Sequence, residues 1–147
     1  MSEECKRNRF LRVRRDPATV KPAEINVRTG QVVDAAMRVH SRLGPGLLEG
    51  AYEACLAYEL RKRGRSVLVQ HALPVEYDDV RIEIGYRADL LVDGVIVVEL
   101  KAIAKLMPIH EAQLLSYIKL ARVPAGLLIN FHVPHLKDGI KRLVDNF

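Results

Sequence analysis

The stretch that most constrains the fold is residues 87–101, RADLLVDGVIVVELK. Two short apolar segments flank its central Asp-Gly pair, which predicts a β-hairpin that is buried on both faces. Asp89, Glu99 and Lys101 interrupt these apolar segments with charge. A charge in a buried strand is costly unless it is paired or bound to a metal ion. The alternatives are an ion pair of Lys101 with one acid and, as the favoured interpretation, a metal site.

The spacing of the three charges tests the metal interpretation, because side chains alternate between faces along a strand. Glu99 and Lys101 share a face. A two-residue Asp-Gly turn would place Asp89 on the opposite face. A three-residue loop at 92–94, with its glycine in the left-handed conformation, places Asp89 opposite Val97 and one diagonal step from Glu99. We therefore predict a three-residue loop or a bulge in this hairpin.

Length and composition indicate one folded domain. The chain has 147 residues, of which 49% are hydrophobic, and this suffices for a single core. No apolar run is long enough to span a membrane, and the N-terminus lacks the apolar stretch of a signal peptide. Cys5 and Cys55 are too few for a disulfide framework or a zinc cluster. We therefore expect a soluble protein in a reducing, cytoplasmic setting, with no membrane partner.

Positive charge is concentrated near the N-terminus. The formal net charge is +5, and residues 1–24 contribute +3 of it, from seven Lys or Arg and four acids. Six of those cations lie between Lys6 and Arg15, interleaved with apolar residues. Such an arm suits a phosphate backbone, although a solvated tail would have the same composition. We predict a basic arm over residues 1–24 and a folded domain over residues 25–147.

The hydrophobic periodicity of the remaining chain predicts both helices and strands. We predict helices at about 30–43, 48–63 and 108–121, and strands at 66–78 (interrupted by Pro74), from 80 into the Asp89 segment, at 95–101 and at 126–131, before a closing alternating segment at 140–144. The order of helix, helix, three strands, helix and strand indicates an α/β or α+β sandwich around a mixed sheet.

Polar side chains on the predicted helices have both structural and functional interpretations. His40 lies beside the apolar stripe of the first helix, which favours a hydrogen-bonded core residue over a ligand. Glu49 lies in the first turn of the second helix, where the helix dipole favours a carboxylate. His110, Gln113 and Tyr117 are three and four residues apart, so they line one stripe of the third helix.

Two motifs carry a resemblance to a known family. Asp89, followed by the ExK sequence at 99–101, resembles the signature of the PD-(D/E)XK nuclease superfamily, although Ala88 stands where that signature has proline. Residues 46–52, GLLEGAY, match the motif that names the GxxExxY protein family of that superfamily. The blocks HSRLGPGLLEGAYE, YRADLLVDG, VELKA, HEAQLLSY and GLLINF also resemble this family, so that the resemblance spans residues 25–145.

The resemblance implies a restriction-endonuclease-like αβββαβ core with a mixed sheet flanked by helices. It implies a nuclease that depends on Mg²⁺ or Mn²⁺, the ions that hard oxygen ligands select, and that hydrolyses phosphodiester bonds of nucleic acid. Between the two nucleic acids, DNA is favoured over RNA, although the sequence does not distinguish them. The implied metal ligands are Glu49, Asp89, Glu99 and the carbonyl of Leu100. The implied catalytic residues are Asp89, Glu99, Lys101, Gln113 and Tyr117, with His110 as a supporting candidate. The alternative is a catalytically silent nucleic-acid-binding or scaffold protein on the same fold, and a homodimer or larger complex is compatible with both functions.

Overall fold

The computed structural model describes residues 20–145, and within them the chain forms three α-helices and seven β-strands. In chain order these are α1 (Pro22–Leu43), α2 (Glu49–Lys62), β1 (Val67–Ala72), β2 (Val75–Tyr77), β3 (Val80–Ile82), β4 (Arg87–Val92), β5 (Ile96–Lys101), α3 (Pro108–Ala121), β6 (Ala125–Asn130), a 3₁₀ turn (Leu136–Gly139) and β7 (Ile140–Val144). Most of the predicted basic arm, residues 1–19, lies outside the described residues.

Five strands form one mixed sheet in the order β1-β4-β5-β6-β7. Its neighbouring strands are antiparallel except β5 and β6, which run parallel. A parallel pair needs a crossover connection, which is usually a helix, and α3 is that connection. The predicted αβββαβ core with a mixed sheet between helices is therefore confirmed, and β7 extends it at one edge.

The sheet separates two hydrophobic cores. The first core lies between the sheet and the helices α1 and α2, and it includes Ile96, Val98 and Leu100 of β5. The second core lies between the sheet and α3, and it includes Val97 and Leu128. Because β5 and β6 are covered on both faces, their sequences are almost continuously apolar, as is usual for interior parallel strands.

The predicted helix boundaries hold for α2 and α3 but not for the start of α1. α2 and α3 begin and end within one residue of the predicted bounds. α1 begins at Pro22 rather than near Gly30, because proline suits the first position of a helix and Ile25 continues the buried face. The helix runs through the predicted boundary between residues 24 and 25. Residues 1–19 lie outside the described residues, so the division of the chain into an arm and a domain stays a prediction. None of the helices within residues 20–145 is both long and apolar enough to cross a membrane.

The predicted continuous strand from Val80 into the Asp89 segment is wrong. Val80–Ile82 forms β3, which pairs with β2 in a separate two-stranded sheet. Gly85 then has a φ of +90°, a conformation that a regular strand does not contain. The strand that carries Asp89 therefore begins only at Arg87. Pro74 interrupts the preceding strand as expected and separates β1 from β2.

Tyr52 fixes the turn between α1 and α2. Its hydroxyl donates to the carbonyl oxygen of Gly44 at 2.6 Å and accepts a hydrogen bond from the N–H of Leu47 at 3.0 Å. Its ring is fully buried and stacks on Phe131, with ring centroids 4.4 Å apart. Gly44 and Gly46 have φ of +68° and +103°, which glycine adopts without steric cost. The tyrosine of the GLLEGAY motif therefore holds the start of α2 in place.

We expect Tyr52→Phe to lower the free energy of unfolding by about 1–3 kcal/mol, because the substitution leaves two partly buried backbone groups without a partner. Urea denaturation monitored by circular dichroism measures this change. Tyr58→Phe is the matched control, since Tyr58 lies on the same helix and is 68% exposed; it should change the stability by less than about 0.5 kcal/mol. Equal effects of the two substitutions would contradict the structural role of the Tyr52 hydroxyl.

Candidate active site

β4 and β5 diverge at the point where the predicted acids lie. The two strands pair with each other over only three residue pairs, the last of which joins Leu90 to Val98. Beyond that pair β4 continues along β1, while β5 continues along β6 as far as Lys101. Asp89 and Glu99 are the first residues beyond the last pair. We call this opening, with Asp89, Glu99 and Lys101, the fork.

The predicted three-residue loop is present but begins one residue later along the chain. It consists of Asp93, Gly94 and Val95, and the N–H of Val95 closes the turn on the carbonyl oxygen three residues earlier, at 3.0 Å. Val95 is the extra residue that the parity argument requires. Continued beyond its last pair, this register brings Asp89 directly opposite Glu99, rather than one diagonal step away.

Each carboxylate of the fork binds the backbone of the opposite strand. The N–H of Asp89 donates to Glu99 Oε1 at 2.9 Å, and the N–H of Leu100 donates to Asp89 Oδ2 at 2.8 Å. These two bonds stand where a continued ladder would have backbone-to-backbone bonds. They hold both carboxylates at the fork, between strands that are otherwise separate.

β4 is distorted at Asp89. Residues 88 and 90 of a regular strand share a face, yet Ala88 packs in the α3 core and Leu90 in the opposite core. In the ladder of β1 and β4, Gln70 and Asp89 lie between the pairs Val69–Leu90 and His71–Ala88 and are not paired themselves, and the φ of Gln70 is +52°. Local distortions of this kind turn side chains away from the regular alternation and occur next to functional sites.

Glu99 is a buried acid, with 5% of its surface exposed. Burial, followed by repulsion from the Asp89 carboxylate, raises the pKa of Glu99 to about 8. The hydrogen bond from the Asp89 N–H and the charge of Lys101 oppose this rise in pKa. The fork therefore favours a positive charge beside Glu99, either a proton or a bound cation.

Lys101 is half-buried at the end of β5. Among residues 20–145 it forms no ion pair with an acid, since each of the ion pairs in this part of the chain involves an arginine. Within the described part of the chain, the structural alternative, in which Lys101 is paired with one acid, is therefore not observed. Its ammonium acts on Glu99 through space without a direct contact.

α2 carries two acids one turn apart, and one of them, Glu53, is linked to the fork through Gln70. Glu49, at the first position of the helix, is exposed, as expected for a carboxylate that complements the helix dipole. Glu53, one turn later, accepts a hydrogen bond from Gln70 Nε2 at 2.9 Å, and the same nitrogen donates to Asp89 Oδ1 at 3.1 Å. Burial raises the pKa of Glu53, the bond from Gln70 lowers it, and the charges of Asp89 and Glu49 raise it further.

The sequence patterns do not single out Glu53 or Gln70. A signal for Glu53 exists, because it follows Glu49 by four residues and so lies on the same face of α2. Gln70 carries no comparable signal, since its position opposite Asp89 and its positive φ both depend on the assembled sheet. The role of Glu49 as a metal ligand stays a prediction.

α3 brings Gln113 and Tyr117 together, as the helical spacing predicts. Gln113 Nε2 donates to the Tyr117 hydroxyl at 3.1 Å. Burial raises the pKa of Tyr117, the bond from Gln113 lowers it, and the carboxylates of the fork raise it, so the hydroxyl lies within electrostatic reach of the fork. His110 has another role: its Nδ1 accepts the N–H of Met107 at 2.8 Å, which caps the start of α3.

Two further residues of the sequence analysis are part of the packing. His40 is buried, and its Nε2 hydrogen-bonds the carbonyl oxygen of Val133 at 2.8 Å, which confirms it as a satisfied core residue. The Leu100 side chain lies in the core beneath α1 and α2. Any role of Leu100 as a ligand therefore falls to its carbonyl group, and that role stays a prediction.

The donor atoms at the fork are carboxylate oxygens. No three His, Cys, Asp or Glu side chains within residues 20–145 come together as a preformed metal site, so Asp89 and Glu99 form a two-acid set. Cys55, the free cysteine in this part of the chain, packs against the core of α1 and α2. Paired oxygen donors without a thiolate fit Mg²⁺ or Mn²⁺ better than a soft metal.

Comparison with known proteins identifies a family for this chain. A family model described as the PD-(D/E)XK nuclease superfamily matches residues 26–143. The match extends from α1 to β7 and includes the whole of the fork. Comparisons with curated proteins and with solved structures found no match.

Proposed function

The chain belongs to the PD-(D/E)XK nuclease superfamily, and on this premise we propose that it is a Mg²⁺- or Mn²⁺-dependent nuclease that acts at the fork. A nuclease-type function follows from the membership itself, and the metal ion, the substrate and the residues are our proposal. The observation that carries it is the Asp89–Glu99 pair, in which each acid is bonded to the opposite strand, with Lys101 two residues further along β5.

Asp89 and Glu99 are the proposed metal ligands, with Glu49 and the carbonyl of Leu100 as further ligands. A bound divalent ion supplies a Lewis acid for the phosphate and lowers the pKa of a water molecule. The chain contributes rigid carboxylates for this purpose, because both acids are already held by backbone N–H groups. Preorganised groups of this kind need little rearrangement during the reaction.

Lys101 is proposed to act on the phosphate or on the attacking water. Hydrolysis of a phosphodiester builds negative charge on the phosphate oxygens, and a nearby cation stabilises that charge. Because Lys101 forms no ion pair with the acids of residues 20–145, its ammonium can bind a phosphate without first breaking such a pair. Lys101 follows Glu99 by two residues on β5, so the two side chains lie on the same face of the sheet.

Gln113 and Tyr117 are proposed to orient the phosphate or Lys101 from the side of α3. Their mutual hydrogen bond restricts the Tyr117 hydroxyl, and the effect of the Glu99 and Asp89 charges on the pKa of Tyr117 supports this role. We assign His110 no part in the reaction, because its Nδ1 caps the helix.

We propose DNA rather than RNA as the substrate and a place within the GxxExxY family, which the GLLEGAY motif at residues 46–52 supports. The six cations between Lys6 and Arg15 are proposed to contact phosphates outside the fork. A cytoplasmic location and assembly into a homodimer or larger complex complete this proposal.

One observation favours a second function, a catalytically silent nucleic-acid-binding or scaffold protein. The carboxylates of Asp89 and Glu99 already have backbone partners, and a third acid does not complete a metal-binding group in the described part of the chain. Both carboxylates therefore have partners within the chain itself. The two functions differ in whether any substrate is cleaved.

The test is a cleavage assay of the full chain on single- and double-stranded DNA and RNA, with Mg²⁺, Mn²⁺ or EDTA. We expect DNA to be cleaved with either ion and to stay intact with EDTA, because the proposed water activation depends on the ion. Cleavage that persists in EDTA would overturn the proposed metal dependence. Cleavage of RNA but not of DNA would overturn the proposal that DNA is the substrate. Binding without cleavage under all conditions would select the silent alternative.

A further inference from the structure

Gln70 joins two acids that belong to different elements, and we propose that it is a positioning residue for the fork. The inference rests on the proposed function and extends the site from β4 and β5 to β1 and α2. Gln70 does not touch the reacting groups itself. It acts through Asp89, by fixing the position of that carboxylate relative to Glu53.

The hydrogen bonds of Gln70 leave Asp89 held at both of its oxygens. The amide nitrogen of Gln70 donates to Asp89 Oδ1 at 3.1 Å and to Glu53 Oε2 at 2.9 Å. The N–H of Leu100 donates to the other oxygen, Asp89 Oδ2, at 2.8 Å. A carboxylate bonded from two sides has little freedom to rotate, so its direction within the fork is set jointly by β1 and β5.

The backbone of Gln70 indicates that its side chain has a specific role. Its φ of +52° lies in the left-handed region, which is unfavourable for a residue with a side chain and mostly reserved for glycine or asparagine. The distortion is confined to this point, because the neighbours Val69 and His71 pair with β4 in one register. A glycine would satisfy the backbone here, so the glutamine is explained by what its amide binds.

Charge gives the amide a further role at this position. Asp89 and Glu53 are both acids, and the charge of Asp89 raises the pKa of Glu53. Two carboxylates that repel each other would move apart unless a donor lay between them. The Gln70 amide is that donor, and it links Glu53 to Asp89 while holding Asp89 in place.

The first test is Gln70→Gly in the full, metal-free chain, with backbone amide exchange measured by NMR. We expect the Leu100 amide to exchange about tenfold faster, because its acceptor Asp89 is no longer held from the other side. The Val98 amide in the same strand should be unchanged. The thermal midpoint should stay constant or rise, since glycine relieves the positive φ. A fall in the midpoint with faster exchange at both amides would assign Gln70 a merely structural role and overturn the inference.

The second test is Mn²⁺ binding by calorimetry, with the metal ion alone as the probe. We expect Gln70→Gly to weaken the affinity about tenfold, as is typical when a group that orients a metal ligand is removed. Asp78→Gly is the matched control, because Asp78 also has a positive φ, +51°, but lies in the turn between β2 and β3. It relieves the same strain and should leave both the affinity and the Leu100 exchange at wild-type values.

The two measurements separate this inference from the proposed function. If the wild-type chain binds no Mn²⁺, the metal-dependent function is overturned, and the Leu100 exchange rate still decides whether Gln70 positions Asp89. If the wild type binds Mn²⁺ but Gln70→Gly leaves the Leu100 exchange unchanged, the inference is overturned and the proposed function stands. Faster Leu100 exchange together with weaker Mn²⁺ binding supports both.

Discussion

Lys101→Ala is expected to lower the rate of nucleic-acid cleavage by about 10²–10⁴-fold, because it removes the cation that the proposed mechanism places at the phosphate or the attacking water. The fold should be preserved, since Lys101 forms no ion pair with the acids of residues 20–145. Single-turnover kinetics at saturating enzyme measure the rate, and fluorescence anisotropy in the same buffer measures binding. We expect the binding to change far less than the rate.

Lys105→Ala is the matched control for this substitution. Lys105 lies four residues further along the chain, is exposed, and belongs to the connection between β5 and α3. It removes the same charge from the same region without touching the fork, so its cleavage rate should stay within a few-fold of wild type. A wild-type rate for Lys101→Ala, or equal losses for both variants, would contradict the proposed role of Lys101.

In the absence of metal, Glu99→Gln is expected to be more stable than the wild type at pH 8, by on the order of a few kcal/mol. The pKa of Glu99 is raised from 4.5 to about 8 in the folded chain. Between these two values the folded state binds more protons than the unfolded state, so the stability of the wild type falls as the pH rises. Glutamine cannot ionise, and this part of the pH dependence disappears.

Chemical denaturation in EDTA at several pH values between 5 and 8.5 measures this effect. The advantage of Glu99→Gln over the wild type should be small near pH 5 and should grow as the pH approaches 8. Glu83→Gln, which removes a carboxylate from an exposed position, is the control and should keep the wild-type slope. If the free energies of unfolding of wild type and Glu99→Gln change in parallel with pH, ionisation of the buried Glu99 does not destabilise the folded chain, and the prediction is wrong.

The fold could be predicted where a local pattern and the tertiary structure agree. α3 has a proline at its start, a helical stripe and a proline after its end, and both of its predicted ends are correct. The prediction that a strand continues from residue 80 into the Asp89 segment is wrong for the opposite reason. The alternating residues of this segment pair in the small sheet of β2 and β3, away from the fork. α1 fails at its start because a proline breaks a helix interior but suits a first turn.

The sequence predicts that Asp89 and Glu99 share a face of the sheet, but it does not identify every residue of the site. The charges of Asp89 and Glu99 in apolar strands demand an extra loop residue, and that residue is present. The sequence could not show that Val95 is this loop residue, because Val95 is as apolar as the strand that follows it. Gln70 lies beyond sequence reasoning, since it is a common polar residue whose contribution arises only when β1 pairs with β4.

The fork also bears on how this fold changes over evolutionary time. Each of its two strands has a second partner on the outer side, β1 for β4 and β6 for β5. Loss of Asp89 or Glu99 would therefore remove contacts between the strands without detaching either strand from the sheet. Chemistry and architecture are thus supported by different bonds. Substitution of either acid should therefore remove the proposed reaction and leave the order of the strands unchanged.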